Sequence, residues 1–196
     1  MTARQQWTVV AAVIAVLGLG LAIGVHYMGG DLFPVEPGSR APEFTAKVLN
    51  GSTTRTFADY KNKVVLLNVW ATWCGPCIQE IPSLEKLYKE YGPKGLQLVA
   101  VSIDGSPGYP KVSEDSIARF ARNLGVTFTV LHDSTAAIEK AYQVTGYPET
   151  FVIGTDGRIR KKWIGADDWS SQGNRALIAQ LLGIETPKAI AASGGR

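Results

Sequence analysis

A chain of 196 residues with 45% hydrophobic and 19% charged side chains is long enough to bury a self-sufficient core and polar enough to be globular. Its formal charge of +3 is small and its basic residues are dispersed, which argues against nucleic acid as a partner. Two cysteines are too few for a disulfide framework, so stability must come from packing.

The first element is an apolar block, Thr8–Val25, "TVVAAVIAVLGLGLAIGV", inside a stretch from Gln5 to Gly30 with no charged side chain. That length matches a hydrocarbon core of roughly 30 Å. Trp7 and Tyr27 bracket it, where amphipathic rings favour membrane interfaces. Arg4 precedes the block and Asp31 and Glu36 follow it, so the positive-inside rule puts residues 1–7 in the cytoplasm and the rest of the chain outside. A cleaved signal peptide would have a shorter apolar core and a small-x-small cleavage site, which "VHYMGG" does not provide. The block at 8–28 is therefore expected to be a retained transmembrane anchor.

Residues 29–42, "GGDLFPVEPGSRAP", read as a Pro/Gly-rich tether that reaches at most roughly 50 Å when stretched. Residues 43–185 are expected to form one α/β domain, and 186–196 a disordered tail. Within the domain, Phe44–Leu49 and Thr53–Phe57 flank "NGS" as a hairpin. Lys63–Trp70, "KVVLLNVW", and Leu96–Ile103, "LQLVAVSI", are apolar runs of the kind buried on both faces of a parallel sheet. Cys74–Tyr91 reads as a helix with Ile78, Ile81, Leu84, Leu87, Tyr88 and Tyr91 near one stripe. A helix beginning at Ser113, a short strand at Val126–Leu131 and a helix over about 134–142 follow. A hairpin around Asp156-Gly157 and a last helix over about 171–182 complete the order.

Both cysteines fall in "NVWATWCGPCIQE", straight after a buried strand and at the start of a helix. Cys74 at a helix N-terminus would face backbone N–H groups that favour a thiolate, the form that attacks disulfides. Cys77, one turn further in, could resolve a mixed disulfide. Pro76 falls in the first turn, where its missing N–H is tolerated. A structural zinc site needs four ligands, and only His26 and His132 remain as candidates; two inert thiols are the other alternative. The redox reading is the one the flanking residues favour.

"VVLLNVWATWCGPC" followed far downstream by "GYPETFVIGTDGRI" resembles the thioredoxin fold, a central mixed sheet flanked by helices, here with an N-terminal hairpin extension. "APEF", "WATWC" and "CIQEIP" are more similar to the membrane-tethered TlpA/ResA/CcmG (DsbE) group of thiol–disulfide oxidoreductases. The resemblance spans about residues 41–182 and implies Cys74 as nucleophile, Cys77 as resolving thiol and Gly75-Pro76 as the supporting dipeptide. It implies a cis-Pro148 beside the disulfide, with Tyr147 offering backbone groups to an extended substrate; Trp73 could pack over the active site and touch the substrate, or serve only as core. Asn68 stands where thioredoxin has a buried aspartate, and an amide cannot accept the Cys77 proton. The group resembled uses a carboxylate just inside the helix, matched by Glu80. Glu149 could touch the client or be a plain surface charge, and the basic run Arg158–Lys162 could face lipid or blunt a sheet edge.

By the same resemblance the chain reduces protein disulfides outside the cytoplasm of a bacterium, anchored in the inner membrane. Its redox group is the Cys74–Cys77 pair itself, with no metal or other cofactor. Its electron donor would be a membrane protein of the CcdA/DsbD type and its client a protein such as apocytochrome c. Two rivals stand beside it: a peroxiredoxin-type thiol peroxidase, which needs a T-x-x-C approach that Thr72 does not supply, and a copper carrier using Cys74, Cys77 and His132.

Overall fold

The computed structural model describes residues 2–32, 34–49 and 51–185. The expected tail from residue 186 and Asn50 of the first turn lie outside them, as do the side chains of His26 and Tyr27. The chain divides into two compact units, one ending at Pro34 and the other starting at Val35.

The first unit is a single helix, α1 (Ala3–Leu32). Its stretch Ala3–Gly24 has a mean hydropathy of 2.3 and is long and apolar enough to cross a membrane. At 1.5 Å per residue it spans roughly 33 Å. Every residue from Val9 to Gly24 is apolar or glycine, and Val9, Val13, Ile14, Val16, Leu17 and Leu21 are exposed, so this stretch is apolar on every side and has no polar face to turn toward water.

The second unit is built on a seven-stranded mixed sheet in the order β2-β1-β5-β4-β3-β6-β7. The strands are β1 (Thr45–Val48), β2 (Thr54–Thr56), β3 (Val64–Trp70), β4 (Leu96–Ser102), β5 (Thr129–His132), β6 (Glu149–Ile153) and β7 (Ile159–Ile164). β3, β4 and β5 are parallel; β6 runs antiparallel to β3, and β1 antiparallel to β5. Every residue of β3 and of β6 is buried, which is why β3 reads as a nearly continuous apolar run rather than an alternating one.

Four helices cover the sheet: α2 (Gly75–Tyr91), α3 (Glu114–Asn123), α4 (Ala137–Ala141) and α5 (Gln172–Leu182). The expected helix over 134–142 is shorter than its sequence pattern, because Ala136 turns into the left-handed region at φ 60° before the first helical turn. Asn68 and Trp70 project from one face of β3; Asn68 bonds to Glu80 of α2 and Trp70 stacks on Phe120 of α3. The other face is filled by an aromatic group in which Phe44 meets Phe57, Tyr60 and Tyr142, and Tyr142 meets Phe151.

Part of the segment expected to act as a tether packs on this domain. Val35 is buried and its N–H donates to Gln143. Gly38 N–H donates to the Ile159 carbonyl at 2.8 Å, Ile159 N–H to the Ser39 carbonyl at 3.0 Å, and Ala41 N–H to the Gly157 carbonyl at 2.9 Å. These bonds cover the outer edge of β7 at its start. Three charges of the basic run are in ion pairs, Arg160 with Asp156, Lys161 with Asp167, and Lys162 with Glu149 and Glu36, while Arg158 donates to the Gly38 carbonyl.

Candidate active site

β3 ends at Trp70, and four residues later Cys74 occupies the N-cap position of α2. Cys74 and Cys77 are disulfide-bonded and buried, at 5% and 1% exposure. The Cys77 N–H donates to Cys74 Sγ at 3.2 Å, and the Ile78 N–H to the Cys74 carbonyl at 3.2 Å. The first sulfur thus takes the place a serine or aspartate oxygen usually fills at a helix start, where an N–H and the helix dipole favour negative charge. A methyl group on Gly75 would meet no protein atom, so the glycine leaves the surface beside Cys74 low.

The approach to Cys74 is held by Asp104, which sequence reasoning missed. It is fully buried at the end of β4; Oδ2 accepts from Thr72 N–H at 3.0 Å and from Ser102 Oγ at 2.7 Å, and Oδ1 from Thr72 Oγ1 at 2.7 Å. The one available signal was an acidic residue directly after an apolar strand.

Trp73 is 41% exposed and stacks on Tyr109 at 5.2 Å between ring centroids. Tyr147 meets both rings edge-on at 5.8 and 5.9 Å, and its hydroxyl lies 3.0 Å from that of Tyr109. The Tyr147–Pro148 bond is cis. Pairing of Val69 with Glu149 sets Pro148 level with the end of β3, next to the segment that leads to Cys74. Tyr109 was absent from the sequence reading; it comes from the loop after β4, a site no local pattern marks.

Glu80 lies one turn beyond Cys77 and is 3% exposed. Oε1 accepts from Asn68 Nδ2 at 2.7 Å; Oε2 accepts from Trp169 Nε1 at 3.1 Å and from Asp167 N–H at 3.3 Å. Asn68 also donates to Thr150 Oγ1, which fixes its amide. Burial pushes the Glu80 carboxyl up to about 7, against the three hydrogen bonds, which favour its charged form. A cleft of about 470 Å³ opens beside Glu80 between α2 and the loop before α5, lined by Lys86, Asp167 and Asp168 among others.

Glu149 is neither a client contact nor a surface charge. It is fully buried on the opposite face of the sheet from Thr150; Oε2 accepts from Thr145 N–H at 2.8 Å and Oε1 lies 3.5 Å from Lys162 Nζ. His132 is engaged through Nε2 with the Asp104 carbonyl at 2.8 Å and through Nδ1 with Glu114 at 3.5 Å. Among the described residues, no group of three or more His, Cys, Asp or Glu side chains is placed to hold a metal ion.

A dithiol–disulfide pair at the start of a helix, beside a cis-proline loop on a central mixed sheet, defines a thioredoxin-like protein. The sequence model of the AhpC/TSA family matches residues 37–162, and the chain belongs to that family. It is 37% identical over 156 residues to the thioredoxin-like protein YneN of Bacillus subtilis, covering 76% of this chain and 88% of that protein. It is 35% identical over 161 residues to the thiol-disulfide oxidoreductase ResA of Geobacillus thermodenitrificans, covering 81% and 87%. Among solved structures, one described as a DsbE-type thiol:disulfide interchange protein from Chlorobium tepidum superposes with a TM-score of 0.66 at 28% identity, over 76% of this chain and 99% of that one. The chain is a thiol–disulfide oxidoreductase.

Proposed function

We propose that this oxidoreductase reduces disulfides of client proteins outside the cytoplasm while anchored to the membrane by α1. The observation that carries the reading is the Cys74–Cys77 disulfide at the N-terminus of α2 with the buried Glu80 carboxylate one turn behind it.

In the reduced protein, the Cys74 thiolate attacks a client disulfide. One client sulfur becomes bound to Cys74 and the other leaves as a thiolate. Cys77 then loses its proton to Glu80 and attacks the Cys74 sulfur. The client leaves with both sulfurs reduced, and two electrons have passed from the dithiol, which is now the Cys74–Cys77 disulfide. An acceptor that titrates near neutrality is suited to this step, since it is partly ionised at working pH and still basic enough to take the proton. Trp73, Tyr147 and the Pro148 loop offer the surface on which an extended client segment lies. Gly75 and Pro76 keep the helix start open to it, and Asn68 holds Glu80 in place. No further cofactor is required.

The donor that restores the dithiol is a membrane protein of the CcdA/DsbD type, because an oxidising compartment supplies no reductant of its own. The client class is a protein whose cysteine pair must be reduced before use, such as apocytochrome c at its haem-attachment motif. The similarity to proteins named thiol-disulfide oxidoreductase and thiol:disulfide interchange protein supports a disulfide as the substrate.

The test is trapping. With Cys77→Ser, the reaction stops at the mixed disulfide, so the protein recovered from its own membrane should carry a client on Cys74. The reduction potential of the unmodified pair should fall near that of thioredoxin, about −270 mV, and a value near the −120 mV of DsbA sinks the reductive direction. Glu80→Gln should slow the resolving step roughly 100-fold and remove its dependence on pH near neutrality.

A further inference from the structure

Glu80 is held from two sides. Asn68 of β3 supplies one donor; the other two come from residues 165–171, the loop joining β7 to α5, which contributes the Trp169 indole N–H and the Asp167 backbone N–H. That loop is itself fixed at several points. Ser83 Oγ of α2 accepts from Trp169 N–H at 3.1 Å and donates to the Asp167 carbonyl at 3.3 Å. Asn174 Nδ2 donates to Asp167 Oδ2 and to the Asp168 carbonyl. Lys161 Nζ donates to Asp167 Oδ2 at 3.1 Å and lies 4.8 Å from the centroid of the Trp169 ring. Trp169 is fully buried, so its N–H has no water to turn to and donates to Glu80 alone.

From this geometry we infer that Trp169 is a positioning residue for the thiol–disulfide reaction: its indole N–H clamps Glu80 Oε2 and holds the carboxylate ready to take the Cys77 proton. The inference rests on Glu80 being the proton acceptor. A buried tryptophan could fill this space with its ring facing any way. Here the only polar atom of the ring meets the one carboxylate on that face of α2 next to the cysteines, and Lys161 sits over the ring and pins the neighbouring aspartate. A donor to the charged form stabilises the anion against the cost of burial. The charged groups around Glu80 are Asp167 and Asp168 of the loop, Lys161 of β7, which pairs with Asp167, and Lys86 of α2; Asn68 of β3 faces it uncharged and is itself bonded to Thr150 of β6.

Trp169→Phe keeps the ring and removes the N–H. In the disulfide form of the full chain, the Glu80 carboxyl is followed by infrared titration and identified as the band absent from Glu80→Gln. Its midpoint should move up by about one pH unit in Trp169→Phe. At pH 7 that leaves about one-fifth of the ionised Glu80, so release of the client from the mixed disulfide should slow about fivefold and recover at higher pH. In the Glu80→Gln background the same substitution should leave the pH profile unmoved. Ser83→Ala keeps the indole while loosening the loop, and should move the midpoint in the same direction by less; it serves if Trp169→Phe does not fold. A carboxyl midpoint unchanged in both variants overturns the clamp, even where Glu80→Gln shows Glu80 to be the acceptor. If Glu80→Gln leaves the rate and its pH profile as they were, the acceptor assignment falls, and this one with it.

Discussion

Two buried glutamates on opposite faces of the sheet were legible to different degrees, for physical reasons. Glu80 was marked by the resemblance, and its spacing agreed, because a helix sets residues three apart, such as Cys77 and Glu80, on one side. Burial raises its carboxyl to about 7 in the folded disulfide form, above the ordinary value of 4.5. The neutral form is thus favoured by folding: its contribution is complete below pH 4.5 and is lost as pH rises through about 7. Urea unfolding of the disulfide form should show about 3 kcal/mol of stability disappearing across that window, and Glu80→Gln should flatten the slope. Glu149 was misread as an exposed charge because every residue of β6 is buried, so alternation gave no sign of which side chains face water. Its ion pair with Lys162 is enclosed, with Lys162 itself 11% exposed. Lys162→Met should cost about 3 kcal/mol in the same unfolding assay, since it leaves an uncompensated carboxylate inside. Trp169 and Asp104 were out of reach for another reason. Their bonds to Glu80 and Thr72 close over 89 and 32 residues of chain, and no local spacing encodes such a contact.

The elements themselves could be read with few errors, because strands buried on both faces and helices with an apolar stripe leave distinct patterns. β3, β4, α2 and the last hairpin stand where the apolar runs and the Asp156-Gly157 turn put them. What the pattern could not supply was the register between them, and the site depends on it: β3 against β6 sets Pro148 beside the end of the strand that delivers Cys74. The segment from Ala71 to Trp73 has no regular structure and takes its shape from the Asp104 carboxylate. Asp104→Ala would leave the Thr72 N–H and two hydroxyls without their acceptor, so it should lower stability by about 3 kcal/mol and slow mixed-disulfide formation as Cys74 loses its fixed approach. Asp104→Asn keeps one oxygen and should fall between. Denaturant midpoints and single-turnover rates of the two variants give the comparison.

At the scale of the molecule, the sequence resolves into an apolar helix and a domain with one continuous core, and the boundary between them is where the structure departs most from first reading. Proline and glycine between residues 29 and 42 suggested loose chain, since those residues punctuate structure wherever they occur. From Val35 onward the segment is instead bonded to the start of β7, and Arg158 Nη1 adds a contact to the Gly38 carbonyl at 2.6 Å. Prolines do not prevent an extended stretch from lying along an edge where only alternate groups must bond.

This lining has a practical side for anyone who wishes to handle the catalytic part in solution. A version trimmed to begin at Pro34 retains it; one trimmed to begin at Glu43 bares the Ile159 N–H and carbonyl at the start of β7 and the Gly157 carbonyl before it, extending the open edge on which strands of neighbouring molecules add. The longer version should elute as a single species over a range of concentrations, whereas the shorter one should associate as it is concentrated and unfold at lower temperature. Equal behaviour of the two on a sizing column would show the lining to be dispensable.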